Sequence, residues 1–142
     1  MTIIYTDGSC LKNPGPGGFA FLVIRNKNVE DVVSGPLKDN PTTNNRAELT
    51  AAIEALDWVP DKNIVIYTDS TYVQKGMNEW IQNWKRKNWL GVKNVDLWKK
   101  LDSLIQNRQI EWKWVKAHAK NEYNNRVDKL AREEAENLLL IS

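Results

Sequence analysis

Cysteine is almost absent from this chain of 142 residues: Cys10 stands alone, so no internal disulfide can form. That fits a reducing compartment and leaves Cys10, on its own, as a small buried or loop residue. Histidine is equally scarce, with His118 the only one, so a zinc centre built from thiolates and imidazoles lacks its ligands. No apolar stretch approaches the length of a membrane span. The N-terminus opens on Thr2-Ile3-Ile4-Tyr5 without a signal-peptide pattern, so the chain is expected to be cytoplasmic and to have no membrane partner. There is no Pro/Gly/Ser linker and no shift in composition, which predicts a single domain over residues 1–142, with no separate module before it.

What the chain does have is unevenly distributed. The formal net charge is only +2, but residues 80–100 carry Lys85, Arg86, Lys87, Lys93, Lys99 and Lys100 against the single acid Asp96. Four of the seven tryptophans, Trp80, Trp84, Trp89 and Trp98, fall in the same stretch. A charge run is usually a solvated face, and tryptophans at helical spacing are usually core. Interleaved, they predict a basic protrusion whose cations compensate phosphates while exposed indoles lie against sugars or bases.

A second signal is an echo. Tyr5-Thr6-Asp7-Gly8-Ser9 returns as Tyr67-Thr68-Asp69-Ser70-Thr71, each time closing a short β-branched run. Two parallel neighbouring strands would bring both aspartates to the carboxyl edge of one sheet, where open α/β folds place their sites. Taken singly, Asp7 suits an Asp-Gly turn and Asp69 suits a helix cap.

The remaining pattern is mixed α/β. Strands are expected at residues 2–7, 19–25 and 29–34, the latter two joined by a tight Asn26-Lys27-Asn28 turn, as an antiparallel meander. A helix begins near Thr43, sets Leu49, Ala52, Ile53 and Leu56 on one face, and ends before Pro60. Residues 64–68 form a continuous apolar strand that a helical crossover would pair in parallel. Short helices follow through the Trp80 region, then a helix over 95–107, a strand over 110–115 and a last helix from about Asn124. The fold class is therefore α/β, in the order βββαβαααβα: a mixed five-stranded sheet flanked by helices.

Two more acids join the echo. Glu48 lies early in the helix after the meander, where Asn45-x-x-Glu48 also matches a capping box, and Asp128 lies near the start of the last helix, where the dipole favours an acid. Asp7, Glu48, Asp69 and Asp128 together make an all-oxygen set, which selects Mg²⁺ or Mn²⁺ over zinc.

The strings Thr6-Asp7-Gly8-Ser9-Cys10, Asn13-Pro14-Gly15-Pro16-Gly17-Gly18, Thr42-Thr43-Asn44-Asn45-Arg46-Ala47-Glu48-Leu49, Thr68-Asp69-Ser70, Trp80-Ile81-Gln82-Asn83-Trp84, Val92-Lys93-Asn94-Val95-Asp96-Leu97-Trp98 and Trp114-Val115-Lys116-Ala117-His118 resemble type 1 ribonuclease H, in order and from about Ile3 to about Ala135. The resemblance implies an endonuclease that hydrolyses the RNA strand of RNA–DNA hybrids, leaving 5′-phosphate and 3′-hydroxyl ends. It makes Asp7, Glu48, Asp69 and Asp128 the ligands of two Mg²⁺ ions, with Asp7 shared, Asp128 on the side of the attacking water, and Glu48 and Asp69 on the side of the leaving oxygen. His118 becomes a proton carrier or an aid to product release, roles open to histidine because an unperturbed imidazole titrates near neutrality.

The same resemblance assigns the nucleic-acid contacts. Asn13, Asn44, Asn45 and Glu48 match groups that meet the minor groove and its 2′-hydroxyls, which distinguish RNA from DNA. Thr43 and Asn94 match a pocket for a DNA-strand phosphate, and Tyr72, Trp80 and Trp84 line the DNA channel. Cys10, Thr71, Lys85, Arg86, Lys87, Trp89 and Lys93 complete the expected surface. Departures are Pro41 in place of a basic residue, Thr71 in place of glutamine, Ala117 and Lys120 around His118, and a protrusion shortened at Leu90-Gly91. The chain is expected to act as a monomer. Two other readings are a catalytically silent hybrid-binding or duplex-binding module on the same fold, and a related nuclease or integrase-like domain acting on DNA. The intact acidic quartet weighs against the first, because like charges held together cost stability unless they bind metal. The Thr43-to-Arg46 motif and the tryptophan-rich protrusion weigh against the second.

Overall fold

The computed structural model describes residues 1–141. Its sheet has five strands: β1 (Thr2–Cys10), β2 (Gly17–Arg25), β3 (Asn28–Pro36), β4 (Asn63–Thr68) and β5 (Gln109–Trp114), in the spatial order β3-β2-β1-β4-β5. The first three pair antiparallel, whereas β4 pairs parallel with both β1 and β5. The β2–β3 turn contains two residues, Asn26 and Lys27, both with positive φ, which matches the right-handed twist of the strands it joins.

The helices are α1 (Asn44–Trp58), α2 (Thr71–Lys75), α3 (Ile81–Arg86), α4 (Val95–Leu104) and α5 (Glu122–Ile141), with a π turn over Gly76–Trp80 joining α2 to α3. The order and the mixed sheet agree with the sequence pattern. Several bounds differ. β1 runs three residues beyond Asp7, because its far end continues to pair with β2 as Gly8↔Phe19, Ser9↔Gly18 and Cys10↔Gly17. The helix expected over 95–107 closes at Leu104, with Asn107 at positive φ soon after. α5 starts before Asn124 because Asn121 caps it, its Oδ1 accepting from the amides of Tyr123 and Asn124 at 3.0 Å each.

Strand alternation divides the core between two faces. Ile4, Phe21, Val23, Ile64 and Ile66 pack with α1 and α4, meeting Leu49, Ile53, Leu56, Trp98 and Leu101. Tyr5, Ala20, Leu22 and Ile24 pack on the opposite side against Val127 and Ala131 of α5. α1 from one face and α5 from the other both lie against the central strand β1, and each carries one of the expected acids.

The basic stretch folds differently from its expected form. Trp98 is fully buried, and Trp84 and Trp89 are half-buried against the core, so only Trp80 of the four indoles is well exposed. Gly76 permits this, since a Cβ there would lie 2.1 Å from the Trp98 ring. The tryptophans are first a packing element, with Trp84 in ring contact with Trp80, Trp89 and Trp98. The cations Lys85, Arg86, Lys87 and Lys93 remain at the surface.

Candidate active site

The parallel register of β1 and β4 ends at Thr6↔Thr68, so Asp7 and Asp69 are the next residues on adjacent strands. The echo in the sequence is therefore a spatial pairing. Asp7 is 2 % exposed and remains within the β1–β2 ladder, opposite Ala20, while Asp69 leaves the sheet into the α2 cap. There the Ser70 hydroxyl accepts from the amide of Val73 at 3.2 Å.

Glu48 arrives from α1. The N-cap of that helix is Thr43, whose hydroxyl accepts from Arg46 N at 3.3 Å, so the Asn45-x-x-Glu48 capping box does not form. Instead Glu48 Oε1 accepts from the backbone amide of Gly8 at 2.8 Å. Only glycine allows this approach: a Cβ on Gly8 would lie 2.2 Å from the carbonyl carbon of Ala47. One carboxylate oxygen from each of Asp7, Glu48 and Asp69 lies within 4.8 Å of the others.

Asp128 comes from α5 and lies outside the three-carboxyl cluster. It is the seventh residue of that helix, too deep for the N-terminal dipole effect expected of it. It adds to the upward push on the Asp7 carboxyl, and its Oδ2 accepts from Arg132 Nη1 at 3.1 Å. Asn121 anchors the start of α5 to β1 through its side-chain amide, which donates to Tyr5 Oη at 3.3 Å.

Electrostatics identify what this cluster fits. Burial, then repulsion from Glu48 and Asp69, pushes the Asp7 carboxyl up to about 12. Glu48 is raised for the same reasons, burial first and Asp69 second, with the Gly8 amide partly opposing. Asp7 Oδ2 is buried with no hydrogen-bond donor, and among the described residues no Lys or Arg makes an ion pair with Asp7, Glu48 or Asp69. An orphaned buried oxygen among three close carboxyls fits a divalent cation, and hard oxygen donors suit Mg²⁺ or Mn²⁺.

The expected contact residues form two groups beside these acids. Gly15 and Thr42 exchange backbone hydrogen bonds of 3.1 and 2.7 Å, which draws the loop after β1 against the start of α1. Asn13 Oδ1 then accepts from Asn44 N, and Asn44 Oδ1 from Cys10 N, both at 3.1 Å, with Asn45 exposed alongside. In the second group the Asn94 amide nitrogen donates to Tyr72 Oη at 3.1 Å, and Trp80 stands edge-on to the Tyr72 ring. Thr71 is exposed at the first position of α2. His118 sits exposed in the loop before α5 with φ 58°, outside the three-carboxyl cluster.

Three positioning residues carried no role in the sequence reading. Asn121 was legible as a helix cap from its place just before a periodic apolar run. Gly8 and Trp114 lie within the motifs, but their contacts to Glu48 and Asp69 join segments far apart in the chain, which no local pattern records.

Comparison with known proteins agrees with this geometry. A family model described as RNase H matches residues 1–136. The chain is 49% identical over 142 residues to a ribonuclease H of Methylobacillus flagellatus, covering 96% of this chain and 92% of the relative. Among solved structures it resembles LC9-RNase H1, described as a type 1 RNase H with the type 2 active-site motif, at TM-score 0.81 and 30% identity, covering 96% of this chain and 72% of that one. It also resembles LC11-RNase H1, solved in complex with RNA/DNA hybrid, at TM-score 0.76 and 25% identity, covering 98% and 99%. With its acids gathered at one sheet edge and the match running nearly end to end, the chain belongs to the RNase H family.

Proposed function

We propose that this protein hydrolyses the RNA strand of RNA–DNA hybrids at the carboxylate cluster, with Mg²⁺ as its natural ion and Mn²⁺ as a substitute. The observation that carries the reading is the approach of Asp7, Glu48 and Asp69 oxygens to within 4.8 Å of one another beside the Asn13–Asn44–Cys10 network. The solved complex of LC11-RNase H1 with RNA/DNA hybrid supports the choice of nucleic acid.

Asp7, Glu48, Asp69 and Asp128 hold the metal. Divalent ions bound there supply charge stabilisation at the entering and departing oxygens of a phosphodiester under in-line attack. The chain's own groups do the rest. Gly8 orients Glu48 through its amide, and Arg132 holds Asp128 through its Oδ2. Asn13, Asn44 and Asn45 offer amide groups for the minor groove, whose 2′-hydroxyls mark the RNA strand. Thr43, Asn94, Tyr72 and Trp80 receive the DNA strand, and His118 carries a proton or aids product release. Contacts of this kind fall on backbone and sugar, so cleavage is largely independent of sequence.

All four acids come from one chain, which supports action as a monomer and as a single catalytic unit, and the lone cysteine supports a cytoplasmic setting. Among the described residues no helix is long and apolar enough to cross a membrane.

The test is cleavage of end-labelled RNA–DNA hybrid, duplex DNA and duplex RNA in Mg²⁺ and in EDTA, with Asp7→Asn as control. Cutting of the hybrid's RNA strand alone, lost in EDTA and in the control, is the expected result. Tight binding without cutting would assign the chain to the silent-module reading.

A further inference from the structure

Arg46 belongs to the Asn44-Asn45-Arg46 run at the start of α1, where a cation is most simply read as a phosphate ligand. Its guanidinium is already occupied. Nη1 and Nη2 donate to the two oxygens of Asp96 at 3.0 and 2.7 Å, a two-pronged pair. Nη2 also donates to Asp39 Oδ2 at 3.1 Å, and Nη1 to Asn94 Oδ1 at 3.2 Å. Two carboxylates offset the single positive charge, leaving little of it for an incoming phosphate.

The contact to Asn94 has a continuation. Asn94 precedes α4 in the left-handed region, φ 56°, and its side chain does not cap that helix. Its carbonyl oxygen is held by Arg46 and its amide nitrogen by Tyr72 Oη. The same phenol oxygen accepts from Trp98 Nε1 at 2.9 Å, and Trp98 is fully buried. A chain of hydrogen bonds therefore runs from the core through Tyr72 and Asn94 to Arg46 on α1. An amide nitrogen carries two hydrogens and a phenol one. With Tyr72 Oη accepting twice, its own hydrogen and the second hydrogen of Asn94 remain as donors.

We propose that Arg46 is a positioning residue: it clamps the start of α4 to the start of α1 so that Asn94 and Tyr72 present their remaining donors to a phosphate of the uncleaved strand. This rests on the hybrid-cleaving reading above. Lysine cannot replace it, because a single ammonium lacks the planar fork that reaches Asp96 by two prongs and Asn94 at once.

The test compares wild type, Arg46→Lys, Arg46→Ala, Asn94→Ala and the double variant Arg46→Lys/Asn94→Ala in steady-state cleavage and in hybrid binding over a salt series, with circular dichroism confirming that each is folded at the assay temperature. Both Arg46 variants should raise KM roughly five- to tenfold, the loss falling on KM and not on kcat. The slope of log affinity against log salt should stay as in wild type, and Arg46→Lys should add no further loss once residue 94 is alanine. A slope shallower by about one in Arg46→Ala, restored in Arg46→Lys, would make Arg46 a phosphate ligand and overturn the proposal. Additive losses in the double variant would overturn it too. Should Arg46→Ala fail to fold, Arg46→Lys and the double variant still decide. Wild-type protein that neither binds nor cuts hybrid would instead remove the parent reading.

Discussion

The indole nitrogen of Trp114 donates to the backbone carbonyl of Asp69 at 3.0 Å, across a parallel pair whose last register position is Thr68↔Trp114. The amide of Val115 donates to Thr68 O at 2.9 Å beside it, so β5 holds the turn from which Asp69 projects. A Trp114→Phe variant keeps a ring but loses the donor. It should weaken divalent-metal binding by about tenfold, the scale typical of groups that orient metal ligands. Calorimetric titration with Mn²⁺ and cleavage against Mg²⁺ concentration would measure it. An unchanged midpoint in both would mean that the Thr68–Val115 backbone bond suffices.

Gly8→Ala should act on the site through backbone sterics. The added Cβ meets Ala47 backbone, which cannot rotate away, so β1 and α1 must separate and the Gly8–Glu48 hydrogen bond must lengthen or break. Overpacking of this kind costs about 1–3 kcal/mol. Thermal unfolding should show that loss, and activity should fall by more than the unfolded fraction accounts for. Activity that merely tracks the folded fraction would count against a role for Gly8 in placing Glu48.

Asp7→Asn should abolish cleavage yet stabilise the metal-free protein. The folded-state pKa of Asp7 is raised from 3.8 to about 12, so between those values the folded chain holds a proton that the unfolded chain has released. Stability then falls as pH rises through that window, and Glu48 acts in the same direction. Asparagine has no such proton to lose. In EDTA the variant should gain about 1–3 kcal/mol over wild type near neutrality. The advantage should be smaller at pH 5 than at pH 8. A melting temperature below wild type at both pH values would refute this account of the cluster.

His118 and Asp69 should separate kinetically. His118 is exposed in a loop and stands apart from the carboxyl cluster, whereas Asp69 is one of its three closest members. His118→Ala should slow turnover by about 10²-fold, within the range of a lost proton carrier, and leave metal affinity unaltered. Asp69→Asn should remove Mg²⁺-dependent cleavage. Single-turnover rates that match in the two variants would erase the distinction.

The basic protrusion can be tested by salt. Lys85 already pairs with Asp102 at 3.3 Å, whereas Arg86 and Lys87 have no ion pair among the described residues. Replacing all three by alanine should weaken hybrid binding and flatten its salt dependence by about two phosphate contacts, most of the effect coming from Arg86 and Lys87. An identical slope would show that this surface does not meet phosphate.

The sequence by itself determined the order of elements, the mixed sheet and the meeting of Asp7 with Asp69 at neighbouring strand ends. Each of these rests on local information: period-two and period-3.6 apolar patterns, turn residues such as Asn26-Lys27, and the repeated Tyr-Thr-Asp strand end. Tertiary structure alone decided what those residues do to one another. Glu48 leaves its expected cap because a glycine on β1 lets α1 approach closely, and Trp98 leaves the expected surface because Gly76 opens a slot for its ring. Arg46 becomes a brace between two helix starts because acceptors from residues 39, 94 and 96 converge on it. The physical reason is common to all three. Close packing and hydrogen bonding couple residues up to 50 positions apart in the chain, and no periodicity within a single element records such a pairing.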